Sequence, residues 1–317
     1  MKKRLKKTVA ALIAALILLA PLCALALPSP EPTKEIAEGE IDISAISDEE
    51  STITATVSLY YRYENLPLVA PQTRVITAAP DESLLLVIAN ELFSGPDAGH
   101  PELKPLFHSQ TRAISVSESE STLTIIINDA AYIGLSDEPA NWRSDNAWKN
   151  EILLRRRMAL ESLALTLTQF GKYSRIMVLV QSSSDSGDTE RLTSRFFGDN
   201  FVKVLSPLTR TTEYLLSPER AAEIALEAIR QKDAESLSMV ITESGRQYAH
   251  PSVFPTVFSF AVIGAEVLSG SGSAVAECEI TYSRFGAEKT ITYPMLLIQD
   301  NDIWKVSDLS ALLSAID

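Results

Sequence analysis

The stretch Ser83–Gly95, Ser-Leu-Leu-Leu-Val-Ile-Ala-Asn-Glu-Leu-Phe-Ser-Gly, leaves the chain the least freedom. Leu85, Ile88, Ala89 and Leu92 recur at helical spacing on one face, and Ser83, Asn90 and Ser94 fall on a narrow opposite one. Asp81 reads as the N-cap, and Glu82 adds a second negative charge at the positive end of the helix dipole. Gly95 tolerates a left-handed turn and Pro96 cannot continue the ladder, so the helix stops there. A helix with so little polar surface has to be covered by a sheet and a second helix.

The flanking sequence supplies both. Thr54 to Tyr63 alternates as a strand, Asn65-Leu66-Pro67 turns it, and Leu68 to Thr77 returns. Asp97 to Ser109 reads as a loop; its His100 and His108 are too few and too far apart for a metal site. Thr111 to Ser117 and Leu123 to Asn128 form a hairpin pattern, with Leu123, Ile125 and Ile127 on one face. Tyr132 to Asn150 is a long polar connection containing Trp142, Arg143 and Trp148. Glu151 to Phe170 is the second helix: Leu153, Leu160, Leu163, Leu167 and Phe170 form its apolar stripe, with Arg155, Ser162, Thr166 and Gln169 opposite. Arg155-Arg156-Arg157 point in different directions on a helix and do not make one phosphate-binding patch. Arg175 to Gln181 carries Ile-Met-Val-Leu-Val, the run expected of a central strand covered on both faces, and Arg191 to Leu208 packs back through Phe196, Phe197, Phe201 and Val204.

A second group of elements follows. Ser217 caps a helix with Pro218 at its first position and an apolar face of Ala221, Ala222, Ala225, Leu226 and Ile229. Asp233 to Val240 and Glu243 to Tyr248 are short helical pieces. Strand patterns run over Phe258 to Leu268, Ala274 to Arg284, Lys289 to Gln299 and Ile303 to Val306, with turns at Gly270-Ser271-Gly272 and Phe285-Gly286-Ala287. A curved sheet of this kind can hold a catalytic acid, for which His250, Glu266, Glu277 and Glu279 are available. Glu277 and Glu279 share a strand face, with Cys278 on the other, which turns the pair toward solvent.

The first 26 residues read as a secretory signal: Lys2, Lys3, Arg4, Lys6 and Lys7, an apolar run from Val9 to Leu22, then Ala24-Leu25-Ala26. Retention as an anchor and lipidation at Cys23 are the alternatives, although Leu22 stands where a lipidation motif has a small residue. Without that segment the chain carries a net charge of −18 and a single cysteine, Cys278. The charge disfavours nucleic acid and anionic membrane surfaces as partners. Residues 27–52, rich in Pro, Glu, Ser and Asp, read as a flexible acidic linker. The expected class is α+β, with two domains at 53–210 and 215–317, each packing helices on one face of a small, mostly antiparallel or mixed sheet.

Leu92-Phe93-Ser94-Gly95-Pro96 resembles the Leu-x-x-Gly-Pro helix end of the GerMN domain family of sporulation and germination proteins. Leu123 to Asp129, the helix segment Glu161–Phe170, the strand Ile176–Val180 and the tail Ser206-Pro207-Leu208 resemble further pieces in the family's order. His108-Ser109-Gln110-Thr111 stands where the family has Pro-x-Gly-Thr. The resemblance implies a non-enzymatic, ring-building or scaffolding role in the cell envelope, acting through protein contacts; the residues themselves give no cofactor or metal to expect. The later group of elements, ending in Asp302-Ile303-Trp304-Lys305-Val306, looks like the roll of nuclear-transport-factor-like or cystatin-like domains.

These readings give an extracytoplasmic assembly protein, secreted or tethered by its N-terminal segment, with envelope or spore-assembly proteins or its own copies as partners. Trp142, Arg143 and Trp148 are the residues expected at an interface; the alternative for both indoles is to plug the open end of the core. A cell-wall polymer stacked on Trp142 and Trp148 is a different reading. A hydrolase using His250 and Glu277 is a third.

Overall fold

A computed structural model describes residues 52–183, 187–199 and 202–316. The signal, Cys23, all of the acidic linker except Thr52, and Phe201 lie outside the described residues.

The architecture is α+β. Strands β1 (Ile53–Tyr63) and β2 (Val69–Ala78) form an antiparallel hairpin with Ser58 opposite Thr73. Two-residue β3 (Leu103–Lys104) pairs with the end of β1 and arises inside the stretch read as a loop. Ala55, Val57, Leu59, Tyr61 and Tyr63 bury one face of β1. Helix α1 (Leu84–Ser94) follows, burying Leu85, Ile88, Ala89, Leu92 and Phe93 as its spacing requires. Its N-cap is Ser83, not Asp81, and its first turn holds no acid. Glu82 donates its N–H to the Ala79 carbonyl at 3.0 Å, so Asp81 and Glu82 are used up in the turn before the helix. Gly95 ends the helix with φ 91°, its N–H bonded to Leu92.

A second sheet lies where a single one was expected. Its order is β4 (Ala113–Ser119), β5 (Thr122–Asn128), β6 (Arg175–Gln181) and β7 (Thr189–Arg191), with β8 (Leu208–Thr209) also on β6. β5 and β6 are parallel, joined through α2 (Asn146–Thr168). On β6 Ile176, Val178 and Val180 are buried while Met177 and Leu179 are half-buried, so the strand is covered fully on one face only.

Helix α2 starts a turn and more before the expected Glu151. Asp145 caps it, accepting the N–H groups of Ala147 (2.8 Å) and Trp148 (3.3 Å). Its stripe also differs. Ser162 and Thr166 are fully buried, and Gln169 turns inward. Gln169 accepts the Ser58 N–H at 2.8 Å and donates to the Ser58 carbonyl at 3.1 Å; Ser162 donates to the Tyr60 carbonyl. Ser162 and Gln169 thus serve the part of β1 that β3 does not reach. Asn90 of α1 does the same for Ala113 of β4, accepting its N–H at 2.9 Å and donating to its carbonyl at 3.2 Å.

The remaining elements begin with α3 (Pro218–Gln231), capped by Ser217 and burying the predicted face, then α4 (Ala234–Met239). Strands β9 (Val257–Leu268), β10 (Ser273–Arg284), β11 (Ala287–Asp300) and β12 (Ile303–Val306) form an antiparallel meander in the order β12-β11-β10-β9. Helix α5 (Leu309–Ala315), which the sequence reading did not include, buries Leu309 and Leu312. Val69 of β2 bonds Tyr214 and Leu216, and the Tyr63 hydroxyl donates to the Met239 carbonyl. Asn301 (φ 52°) and Asp302 (φ 65°) turn β11 into β12, and the Asp302 carboxylate accepts the Thr73 N–H at 2.8 Å. Buried residues from all these elements belong to one connected apolar cluster.

Candidate functional site

The expected interface residues sit where the long connection enters α2. Trp142 opens a short 3-10 turn, Trp142–Ser144, directly before the Asp145 cap. Its indole is only 7 % exposed. The Arg143 guanidinium lies 4.4 Å from the ring centre and that of Arg156 5.8 Å. Gly198, at φ 77°, closes on the same ring: a Cβ there would stand 2.6 Å from it. Arg156 donates to the Phe196 carbonyl and pairs with buried Glu138 at 3.5 Å. Burial pulls the Arg156 guanidinium below its usual range, and Glu138 opposes the shift. These contacts join the connection, α2 and residues 194–198. Arg143 itself is exposed.

Trp148 lies one turn on and is half-buried, with Arg155 5.8 Å from its ring. Arg155 bonds Asp137 at 2.7 Å and Glu151 at 2.7 Å, and Glu151 also pairs with the nearly buried Arg62 of β1. Burial works against the Glu151 carboxylate, but the hydrogen bonds from Arg62 and Arg155 prevail and hold it below the ordinary range. Arg155 and Arg156 therefore serve separate ion pairs. Buried Glu161 accepts the Thr211 hydroxyl at 2.6 Å and the Tyr214 N–H at 2.8 Å, fastening the segment that leads to α3.

The residues considered for acid–base chemistry do not converge. His250 is exposed, its Nδ1 2.7 Å from Ser252 Oγ, and it caps its own turn. Glu266, Glu277 and Glu279 are exposed, the last two opposite Cys278 on β10. Burial pushes the Cys278 thiol up to about 11, which keeps it protonated and unreactive. His100 pairs with Glu102, and His108 Nδ1 accepts the Gln110 N–H. Among the described residues no three His, Cys, Asp or Glu side chains are placed to hold a metal ion, and no helix is long and apolar enough to cross a membrane. What sequence reasoning missed is the inward use of Asn90, Gln169 and Glu161. The one available signal was their presence on helices otherwise rich in apolar residues.

Residues 58–185 match the family described as Germane, sporulation and spore germination. No curated protein sequence matches the chain. Among solved structures, the tandem GerMN domains of the sporulation protein GerM from Bacillus subtilis share 17 % identity with it, TM-score 0.33, over 54 % of this chain and 51 % of that one. The chain thus spans about half the length of that relative. A candidate lipoprotein from Clostridium perfringens shares 17 % identity, TM-score 0.28, over 53 % of this chain and 95 % of that one. An NTF-2-like protein of unknown function from Shewanella oneidensis MR-1 shares 13 % identity, TM-score 0.22, over 28 % of this chain and 94 % of that one.

Proposed function

We propose that this chain, which carries a Germane domain at residues 58–185, is a non-enzymatic docking protein of the bacterial cell envelope. It acts outside the cytoplasm, during spore formation or germination, through contacts with envelope or spore-assembly proteins or with its own copies. The observation that carries this reading is how the Germane region uses its buried polar groups. Arg62–Glu151, Arg156–Glu138, the Asn90 and Gln169 amides and Glu161 each tie one element to another. These bonds hold separate elements in one rigid body, and a rigid body suits docking. The basic and apolar N-terminal stretch and the acidic remainder support the location.

The test is affinity capture of the mature protein from its own cell envelope, with its N-terminus read by mass spectrometry and its mass by light scattering. Recovery from the envelope together with defined partners, or as an oligomer, is the expected result. A cytosolic monomer without partners would end the reading. Polymer binding through Trp148 is the alternative, because its indole is half-open while that of Trp142 is enclosed. Cosedimentation with purified wall that survives Trp148→Ala would remove it.

A further inference from the structure

Edge strands invite pairing, and most edges of this molecule are short or covered in part. β3, β7 and β8 have two or three residues. Others are met in part: β1 at Ser58 and Tyr60 by Gln169 and Ser162, β4 at Ala113 by Asn90, and β2 at Val69 by residues 214–216 and at Thr73 by Asp302. β12 is joined by the segment at Val240–Thr242. β9 is the longest of the edge strands. It runs for 12 residues at the end of its sheet, and among the described residues none of the positions on its outer edge is met. It contains no Pro, Lys or Arg, and its one charge is Glu266.

Its side chains extend the same invitation. The two residues that slip out of register with β10, Phe258 and Ile263, are 50 % and 64 % exposed, and Val267 is 55 % exposed. Beside this edge a groove of about 410 Å³ runs between β9 and α3, floored by Ile224, Phe260 and Val262. Its rim carries Glu223, Glu227 and Asp233; Arg220 pairs with Glu223, Arg230 with Glu227, and Asp233 caps α4, so the rim keeps a net excess of one carboxylate.

We propose that the free edge of β9 receives a strand from a partner protein, an extended segment with apolar side chains at alternate positions and Lys or Arg beside them. Backbone bonds to β9 supply affinity, alternate side chains fill the groove, and the acidic rim selects the flanking charge. A second copy fits less well. Pairing β9 with its own image would set two α3 rims, both acidic, beside one joint in a chain of net charge −13. The inference rests on the docking reading but not on where or when docking occurs.

The test uses purified protein and a short synthetic peptide of alternating Val and Thr with Lys at both ends. Its failure leaves the envelope-capture experiment standing. Binding should slow amide exchange along Val257–Leu268, vanish when alternate peptide nitrogens are methylated, and weaken about tenfold in the Glu223→Lys/Glu227→Lys variant. Loss of binding without loss of fold is checked by the unchanged melting curve of that variant. Absence of binding, equal binding of the methylated peptide, or indifference to the charge reversal would each overturn the proposal. So would a dimer in light scattering that Ala261→Lys dissolves, since the edge would then belong to a second copy.

Discussion

β1 and β9 are both long strands that lack a full-length neighbour on one side, and the chain treats them oppositely. Along β1, two residues of β3 and then helix side chains at Ser58 and Tyr60 occupy peptide groups of the open side. Along β9 no described residue does so. A primary amide carries one donor and one acceptor at a spacing that matches a peptide unit, so Gln169 reproduces for Ser58 what a strand would provide. The difference teaches that an open edge is avoidable here, and that β9 has been left one.

The largest expected effect comes from removing that substitute. Gln169→Ala leaves both backbone groups of Ser58 unpaired and should cost roughly 2 kcal/mol in denaturant unfolding. It should also speed amide exchange at Ser58, while Val257–Leu268 is unaffected. A stability change near zero would mean that water serves β1 as well as the amide does, and the contrast with β9 would dissolve. Asn90→Ala, which frees Ala113 on β4, should cost about 1 to 2 kcal/mol by the same measurement.

Glu151→Gln sharpens the comparison through pH. The folded carboxyl lies below its ordinary value of 4.5, so its stabilisation is present above that value and fades as pH falls through the lower, folded one. The variant should therefore be less stable than the parent at neutral pH and equal to it in strong acid, as read from melting temperatures across pH. A constant difference at every pH would remove the ion pairs with Arg62 and Arg155 from the bracing of β1. The smallest effect belongs to the open edge: Ile263→Lys should change stability by no more than about 0.5 kcal/mol, because its side chain already faces water.

Much of the fold was legible in local pattern. Ser217-Pro218 announced α3, the alternation of Leu123, Ile125 and Ile127 announced β5, and the apolar face of α1 lay where periodicity put it. The direction of polar residues was not legible. Ser162, Thr166 and Gln169 have the spacing of a solvent face, and only contact with a strand more than a hundred residues earlier makes that face an inner one. The start of α2 was obscured because Trp148, Lys149 and Asn150 show no apolar period, although the Asp145 cap was in plain view. Helix α5 is too short to establish a period of its own and depends on packing for its existence. For the candidate site, composition marked Trp142, Arg143 and Trp148 together. The enclosure of Trp142 came from Gly198 and Arg156, neither of which composition could connect to it.

The Asn301-Asp302 turn places two demands on one residue. A backbone with φ near 60° is comfortable for Gly, Asn or Asp, whereas reaching the Thr73 amide needs a side-chain acceptor at that spot. Glycine at 302 would satisfy the bend and release the latch; glutamate would keep a charge and strain the bend. Position 301 answers only to the bend. Across descendants of this chain that keep the junction, 301 should therefore wander among Gly, Asn and Asp while 302 stays with Asp or Asn.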